Sequence, residues 1–144
     1  MRKVLVPISA DGSAQMQSAL AEVIAIYREE PVEVHLLNVQ ITVPRYVAGF
    51  FKSNDLELIH QEAGIEELAP AQAALDAARI PYKVHIKVGR RAETIVQVAN
   101  EIGCDRILMG HAQPERFAQK LFGTLTSQVR HLLGVAGNCQ VIGS

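Results

Sequence analysis

The sequence lacks the features that mark several large classes of protein. No apolar run approaches the ~18 residues that a membrane-spanning helix needs. The 144 residues include 14 basic and 15 acidic side chains, and the formal net charge of −1 provides no basic surface for nucleic acid or an anionic membrane. The amino-terminal apolar run is too short for a secretion signal and lacks a small-residue cleavage site. These absences predict a cytoplasmic protein that binds neither nucleic acid nor a membrane.

Cysteine is scarce, and histidine shows no metal-ligand spacing. Cys104 and Cys139 form no CxxC motif, and each stands at the start of an apolar run. Free cysteines in such positions are usually buried, so we expect two buried thiols in a reducing compartment. The five histidines show no pattern such as HxxxH, so no metal site is predicted.

What the sequence does contain is a regular alternation of strand and helix patterns. Short runs rich in β-branched residues predict strands at 3–8, 32–39, 82–88, 106–110 and 139–143. Apolar residues at helical spacing predict helices over about 13–29, 55–79, the region around 95–102, and after Gly123. The apolar face predicted for the second helix consists of Leu58, Ile65, Leu68, Gln72 and Leu75. Pro70 is expected to kink or divide this helix, and Gly103 to end the third. The pattern predicts one domain over 1–144, an α/β fold with a doubly wound, five-stranded parallel sheet (Rossmann-like) and helices on both faces.

The predicted sheet also indicates where a ligand would bind. The first and fourth strands are almost continuously apolar, as central strands are, whereas the third alternates as an edge strand does. Ligands of such sheets lie beyond the carboxyl ends of the strands, where the winding direction reverses. Neither GxxxxGK[ST] nor GxGxxG occurs, which excludes a P-loop and the usual dinucleotide fingerprint.

One loop at that edge contains glycines in a suggestive arrangement. Gly110 ends the fourth strand, and Gly123 and Thr124 lead into the next helix. A helix N-terminus has unpaired N–H groups that stabilise an anion, and Arg116 and Lys120 could contact phosphate oxygens from the loop. The alternative is a turn glycine followed by an N-cap threonine, with two solvated cations.

A second irregular segment, 41–54, contains large apolar side chains where a surface loop is expected. Pro44 and Gly49 break it, and Val47, Phe50 and Phe51 are apolar. Loops of this length in compact domains often act as lids or partner contacts. The other interpretation is ordinary packing over the sheet.

Four stretches together resemble the universal stress protein family, within the adenine nucleotide alpha hydrolase-like superfamily. They are KVLVPISADGSAQMQSAL, VEVHLLNV, VGRRAETIVQVANEIGCDRILMGH and GTLTSQVRHL, in that order over nearly the whole chain. The resemblance implies a five-stranded parallel sheet and a homodimer joined through the last strand, here 139–143. It also implies binding of ATP, AMP or another adenine nucleotide, with Mg²⁺ as a possible companion ion.

The family's site residues can be transferred to matching positions of this chain. The resemblance implies adenine packing against Pro7 and backbone contacts at Val39. It places the ribose near Asp11 and the phosphates along Gly110, Gly123, Thr124 and Leu125. Met109, Ser9 and Gln113 complete the implied nucleotide-binding set, and no catalytic residue is assigned.

Two departures from the family pattern affect the expected affinity. The family's loop has glycine, two residues, glycine, nine residues, glycine, then serine or threonine, but Gln113 occupies the middle glycine position and Pro114 follows it. A non-glycine residue in left-handed geometry costs about 1–2 kcal/mol, so binding is expected to be weaker than with the full pattern. The first loop, ISADGS, is also longer than the family's VDGS, so Ser9 or Asp11 could take the nucleotide-facing position; the spacing to Ala19 favours Asp11.

Three functions are compatible with these residues. The first is a cytoplasmic nucleotide-binding stress protein that signals to an unknown protein partner through its dimer. The second is a dimeric interaction protein without nucleotide, using the apolar segment 47–51. The third is a slow ATP hydrolase, for which His111 and Asp11 are the only candidate bases in the crevice.

Overall fold

The computed structural model describes residues 1–10, 14–41, 49, 52–111, 124–134 and 139–143. The strands are β1 (Lys3–Pro7), β2 (Glu33–Gln40), β3 (Tyr82–Val88), β4 (Arg106–Gly110) and β5 (Gln140–Gly143). The helices within these ranges are α1 (Ala14–Glu29), α2 (Ser53–Ala77), α3 (Arg91–Ile102) and α4 (Leu125–Leu133). The chain therefore alternates strand and helix as its sequence pattern predicts.

The five strands form one parallel sheet in the order β3-β2-β1-β4-β5. The predicted doubly wound fold is confirmed: β1 and β4 are neighbours at the centre, and β3 is an edge strand. Side chains alternate between the two faces of each strand. On β1, Val4 and Val6 pack with α1 and α2, while Leu5 packs with α3 and α4 on the opposite face. Both faces of the central strands are buried, which explains their continuous apolar sequence.

Helix α2 differs from its prediction in two respects. It is one helix from 53 to 77 with Pro70 inside it, so of the two expected effects of Pro70, a kink or a division, the division is wrong. Pro70 lies on the exposed side, where the carbonyl that loses its N–H donor can turn to water. The buried stripe is Leu68, Ala71 and Leu75, whereas Leu58 and Ile65, which we assigned to the buried face, are 58% and 59% exposed.

The end of α3 and the absence of a membrane-spanning run were also predicted from the sequence. Gly103 ends α3 in the left-handed conformation, at φ 67°, and the next N–H, of Cys104, donates to Ala99 O at 3.0 Å. The predicted stop is confirmed.

Within the described ranges, no helix is long and apolar enough to span a bilayer. Of the segment 41–54, residues 42–48, 50 and 51 lie outside the described part, so the choice between lid, contact and packing stays a prediction.

The centre of the sheet depends on a close backbone approach between β4 and α1. Gly110, at φ 76°, lies so near the start of α1 that a Cβ atom there would be 1.9 Å from Gln15 O. Gly110 also pairs with Gly143 of β5, whose own Cβ would be 2.5 Å from Gly110 O. Only glycine fits at the end of β4, because both the dihedral angle and the space exclude a side chain.

A polar cluster lies between β2 and β3, on the face of the sheet that α3 and α4 cover. His35 is buried; its Nε2 is 2.9 Å from Glu33 Oε2 and its Nδ1 is 2.8 Å from His85 Nε2. An ionised carboxylate only accepts, so His35 Nε2 carries hydrogen; with a neutral ring, Nδ1 accepts from His85 Nε2–H. Two imidazolium rings could not share this bond, so the folded cluster disfavours double protonation.

Burial and charged neighbours also disfavour the protonated form of His85. Burial, followed by the positive charges of His35, Lys87 and Lys83, lowers the pKa of His85, against a smaller opposing effect of Glu101. The hydrogen bond from His35, followed by that from Lys83 at 2.9 Å, lowers the pKa of Glu33 to about 2.

We predict that Gly110→Ala destabilises the fold by about 3 kcal/mol or more, because it combines backbone strain with a clash against Gln15. Gly103→Ala is the matched control, since φ is also positive there but nothing lies within 4 Å of the added Cβ. The control should lose only about 1–2 kcal/mol. Urea unfolding of both variants measures the difference, and equal losses would show that the contact with Gln15 is relaxed at little cost.

We predict that stability falls in two acid steps. His85 has a lowered folded pKa, so the unfolded chain binds its proton first and stability declines as the pH falls below about 6.5. The contribution of Glu33 is present above its ordinary pKa and is lost as the pH falls towards about 2.

Urea midpoints of the wild type and of His85→Gln, measured from pH 7.5 to 3, test this. Gln keeps an amide donor for His35 but does not titrate, so the first step should become smaller while the second remains. His60→Asn on α2 is the control and should keep both steps. An unchanged first step in His85→Gln would contradict the assignment.

Candidate functional site

The crevice at the carboxyl edge of the sheet forms between two strands whose following helices lie on opposite faces. β1 ends at Pro7 and leads to α1 on one face, whereas β4 ends at Gly110 and precedes α4 on the other. β1 and β4 pair directly, with Val4 opposite Arg106. Helices that leave adjacent strands in opposite directions open a gap between them, which is where ligands of such sheets bind.

The structure brings five members of the predicted set to the ends of three adjacent strands. Pro7 is the last residue of β1 and Ser9 follows it, Val39 is the penultimate residue of β2, and Met109 and Gly110 end β4. Met109 is 7% exposed, and its side chain packs in the core on the α3–α4 face. Its side chain is therefore a core group, and any contact with a ligand would involve its backbone.

The other members lie at the start of α4 or outside the described ranges. Thr124 is the N-cap of α4 and Leu125 its first residue. The remaining predicted residues are outside the described part of the chain: Asp11, Gln113, Arg116, Lys120 and Gly123. Their proposed contacts stay predictions.

Thr124 closes a reciprocal capping box with Ser127. Its Oγ1 accepts from the Ser127 N–H at 3.0 Å, and the Thr124 N–H donates to Ser127 Oγ at 3.1 Å. The expected alternative of an N-cap threonine is therefore confirmed. These bonds use the hydroxyl of Thr124 only as an acceptor, which leaves its hydrogen available to a ligand. The N-cap role and a phosphate contact are chemically compatible.

Two cavities adjoin the ends of the strands. One, of about 410 Å³, lies between the segment after β1 and the helices α1 and α2. Its lining residues are Ser9, Ala10, Met16, Ala63, Glu66, Glu67 and Pro70. The other, of about 680 Å³, lies between the start of α3 and the length of α4, and is lined by Arg90, Arg91, Ala92, Glu93, Leu125, Ser127, Gln128, His131 and Leu132.

A buried amide network beside the first cavity was not found from the sequence. Asn38 Nδ2 donates to Ile8 O at 3.0 Å and to Glu67 Oε2 at 2.6 Å, and Gln40 Nε2 donates to the same carboxylate oxygen at 2.9 Å. Gln40 also donates to Asn38 Oδ1 at 2.7 Å. The network holds the segment after β1 against α2. The sequence pattern that could have indicated this network is the pair of amides Asn38 and Gln40, two residues apart at the end of an otherwise apolar strand.

Two arginines beside the second cavity were also missed. Arg90 and Arg91 follow β3 at the same edge of the sheet and line the cavity with Leu125 and Ser127. Arg90 forms an exposed ion pair with Glu93 at 3.6 Å. The predicted site residues lie at or after the ends of β1, β2 and β4 only, although β3 also ends at the ligand-binding edge of the sheet. The two arginines outnumber the Glu93 carboxylate and give this side of the crevice a net positive charge.

The described residues provide little machinery for hydrolysis. His111 is exposed after β4, and its backbone N–H donates to Ser18 Oγ at 3.4 Å. His35 is buried and bonded to Glu33 and His85, so its ring serves a structural cluster within the sheet. No group of three or more histidine, cysteine or carboxylate side chains that could hold a metal ion occurs in the described ranges.

Known proteins share both the family pattern and the fold. The profile of the universal stress protein family matches residues 1–134. The structure of the hypothetical protein MJ0577 is similar, with a TM-score of 0.73 and 26% identity over 99% of this chain and 96% of that chain. No curated protein matches the chain.

Two other similar structures contain an adenine nucleotide. A universal stress protein in complex with cAMP has a TM-score of 0.70 and 16% identity over 99% of this chain and 96% of its own. A universal stress protein family protein from Arabidopsis thaliana with AMP bound has a TM-score of 0.67 and 18% identity over 99% of this chain and 90% of its own. At these identities, both support the fold. Since the family profile covers all but the last ten residues, this chain belongs to the universal stress protein family.

Proposed function

We propose that this protein is a cytoplasmic stress-response module that binds an adenine nucleotide, and that the nucleotide occupies the crevice between β1 and β4. The observation that carries the proposal is the convergence of Pro7, Ser9 and Gly110 at two adjacent strand ends, where the sheet changes winding direction. Relatives with this fold have been solved with cAMP or AMP bound. Membership of the family supports the stress role.

The base and ribose fit the β1–β2 side of the crevice best. Pro7 offers an apolar ring at the end of β1, and the backbone near Val39 offers donors and acceptors for the edge of a purine. The 410 Å³ cavity that begins at Ser9 gives room beside these groups. Because Asn38 and Gln40 fix the Glu67 carboxylate there, this wall is polar and preorganised before a ligand arrives.

The phosphates fit the opposite side, at the start of α4. The capping box uses the N–H groups of Thr124 and Ser127, which leaves those of Leu125 and Thr126 outside these bonds. The helix N-terminus contributes about half a positive charge. Arg91 and Arg90 line the neighbouring cavity; Glu93, which pairs with Arg90, offsets one of their two charges. If ATP binds with Mg²⁺, the phosphates themselves would supply its ligands.

The nucleotide proposal is tested by thermal unfolding and calorimetry with ATP, AMP and cAMP. A ligand at 100 times its Kd adds ~2.7 kcal/mol of stability, so the midpoint should rise. Gln113→Gly restores the glycine of the family pattern and should tighten binding by roughly 5- to 30-fold, because the family's left-handed geometry would cost a non-glycine residue about 1–2 kcal/mol.

Ala112→Gly is the matched control, because it adds the same flexibility one position earlier and should leave the affinity nearly unchanged. The proposal fails if neither the wild type nor Gln113→Gly binds any of the three nucleotides at millimolar concentration. Mass spectrometry of small molecules released from the purified, denatured protein would identify a nucleotide retained from the cell.

We also propose that two copies pair through β5 and that the dimer transmits the nucleotide state to a protein partner. β5 is an edge strand of the sheet, next to β4. The Gln140 N–H donates to Asp105 O at 2.9 Å, so alternate residues of β5 direct their backbone groups outward. An exposed strand edge is a template for pairing with a second chain.

That edge already has a partner within the monomer. Arg130 Nη2 donates to Val141 O at 3.3 Å and to Gly143 O at 2.6 Å. The simple expectation of unpaired backbone groups is therefore wrong for these two carbonyls. Arg130 would have to release them before a second β5 could bind.

We predict that Arg130→Ala tightens dimerisation by roughly 30-fold, because each of the two protomers would otherwise give up the equivalent of about one hydrogen bond of ~1 kcal/mol. Sedimentation equilibrium over a concentration series measures the constant. Arg28→Ala, which removes an exposed arginine from the end of α1, should leave it unchanged. An unchanged or weaker dimer in Arg130→Ala would argue against pairing through β5.

A further inference from the structure

The two cysteines, which are distant in sequence, meet at the amino end of the sheet. Cys104 precedes β4 and Cys139 precedes β5, and these strands are neighbours. Their Sγ atoms are 3.3 Å apart. Cys104 is 6% exposed, whereas Cys139 is only partly buried, so the expectation of two fully buried thiols holds for the first alone.

The surroundings give the two thiols different reactivity. The hydrogen bond between them, with a smaller effect of burial, raises the pKa of the Cys104 thiol. The same hydrogen bond lowers the pKa of the Cys139 thiol. A thiolate is the reactive form of cysteine, so the more exposed sulfur is also the better nucleophile. The buried Cys104 is placed to react with it in a second step.

We propose that Cys104 and Cys139 form an oxidation site, at which a hydroperoxide converts the dithiol into an intramolecular disulfide that fastens β5 to β4. The site is independent of the nucleotide proposal. It lies at the opposite end of β4 from Gly110, on the order of 20 Å away at ~3.3 Å per residue.

The reaction balances with one hydroperoxide. The Cys139 thiolate attacks the peroxide oxygen; an S–O bond forms, the O–O bond breaks and an alcohol or water leaves, so that the sulfur is oxidised to a sulfenic acid. Cys104 Sγ then attacks that sulfur, the S–S bond forms and the S–O bond breaks. The hydroxide leaves with the proton of Cys104 as water. Two thiols and one hydroperoxide give one disulfide, one alcohol or water, and one water.

The bond would act on the shortest strand of the sheet. β5 has four residues, and its pairing with β4 is irregular between Leu108 and Gly110. A crosslink at the start of β5 closes a long loop that contains all of β4 and α4, and crosslinks of long loops restrict the unfolded chain most. Oxidation should therefore strengthen the edge strand without reaching the crevice.

The experiment uses the full chain, reduced, freed of reductant and treated with one equivalent of hydrogen peroxide. We expect the monomer to lose two hydrogen atoms in mass and both alkylatable thiols, and reductant to restore them. The melting temperature should rise by roughly 5 °C or more. Two thiols that remain alkylatable, a crosslinked dimer in place of the monomer, or an unchanged melting temperature would each overturn the proposal.

Two serine variants test the assigned roles. In Cys104→Ser, Cys139 should stop at the sulfenic acid, which a dimedone-type reagent traps. In Cys139→Ser, peroxide should react much more slowly, and neither variant should gain thermal stability. Equal reaction rates in both variants would contradict the assignment of Cys139 as the attacking thiol.

Titration against a glutathione redox buffer separates native geometry from chance pairing in a chain with two cysteines. Folding and the disulfide stabilise each other, so the native disulfide should resist reduction roughly a hundredfold better than that of the urea-unfolded chain. Equal resistance in the two states would refute a site formed by the fold.

Discussion

The backbone contact between Gln15 and Gly110 determines how closely α1 can approach the end of β4. A Cβ at Gly110 would overlap Gln15 O, so at this point the helix and the strand approach main chain to main chain. This contact lies where the chain leaves β1 for one face of the sheet and β4 for the other. The width of the crevice between them, and hence the space for any ligand, depends on it. The pairing of Gly110 with Gly143 extends the same constraint to β5.

The two edges of the sheet are protected by different means. β3 carries Lys83, His85 and Lys87 on one face, and Lys83 forms an ion pair with Glu33 of β2. Charged side chains on an edge strand discourage pairing with other chains. β5 has no charged residue, and its outward carbonyls are instead covered by Arg130 from α4. A cover made by one flexible side chain can be removed by rotation, whereas ionic groups on the strand itself cannot. This difference makes β5 the more suitable edge for regulated pairing.

The sequence patterns were sufficient for most of the fold because the fold's strongest constraints are local. β-branched runs and helical periodicity gave the element order, and continuous apolarity correctly marked β1 and β4 as central. The buried face of α2 was misassigned because its length allows several apolar stripes. Contact with the sheet, through Leu68 and Ile86 among others, selects one of them. No local pattern contains that information.

The same reasoning explains what was missed at the site. Glu67 acts with Asn38 and Gln40, and Cys104 meets Cys139, only because distant segments become neighbours in the sheet. The motif residues Gly110 and Thr124 were found readily, but each has a structural reason to be present without a nucleotide. Gly110 is required by the contact with Gln15, and Thr124 by the capping box.

Two positions of the glycine pattern that this chain retains, Gly110 and Thr124, are therefore weak evidence for binding, since the fold alone would require them. The middle position has no such second role assigned to it, so a glycine there would report on the ligand more directly than Gly110 does. Gln113 occupies that position, followed by Pro114, which removes one N–H donor. Under the nucleotide proposal, phosphate binding would rest on the N-terminus of α4 and on the arginines after β3, without the donors that the middle of the glycine pattern supplies. A site that loses backbone donors but keeps helix-terminal and guanidinium charge would still attract phosphate while holding it less rigidly. Such a site would exchange a nucleotide more readily than one with the full glycine pattern.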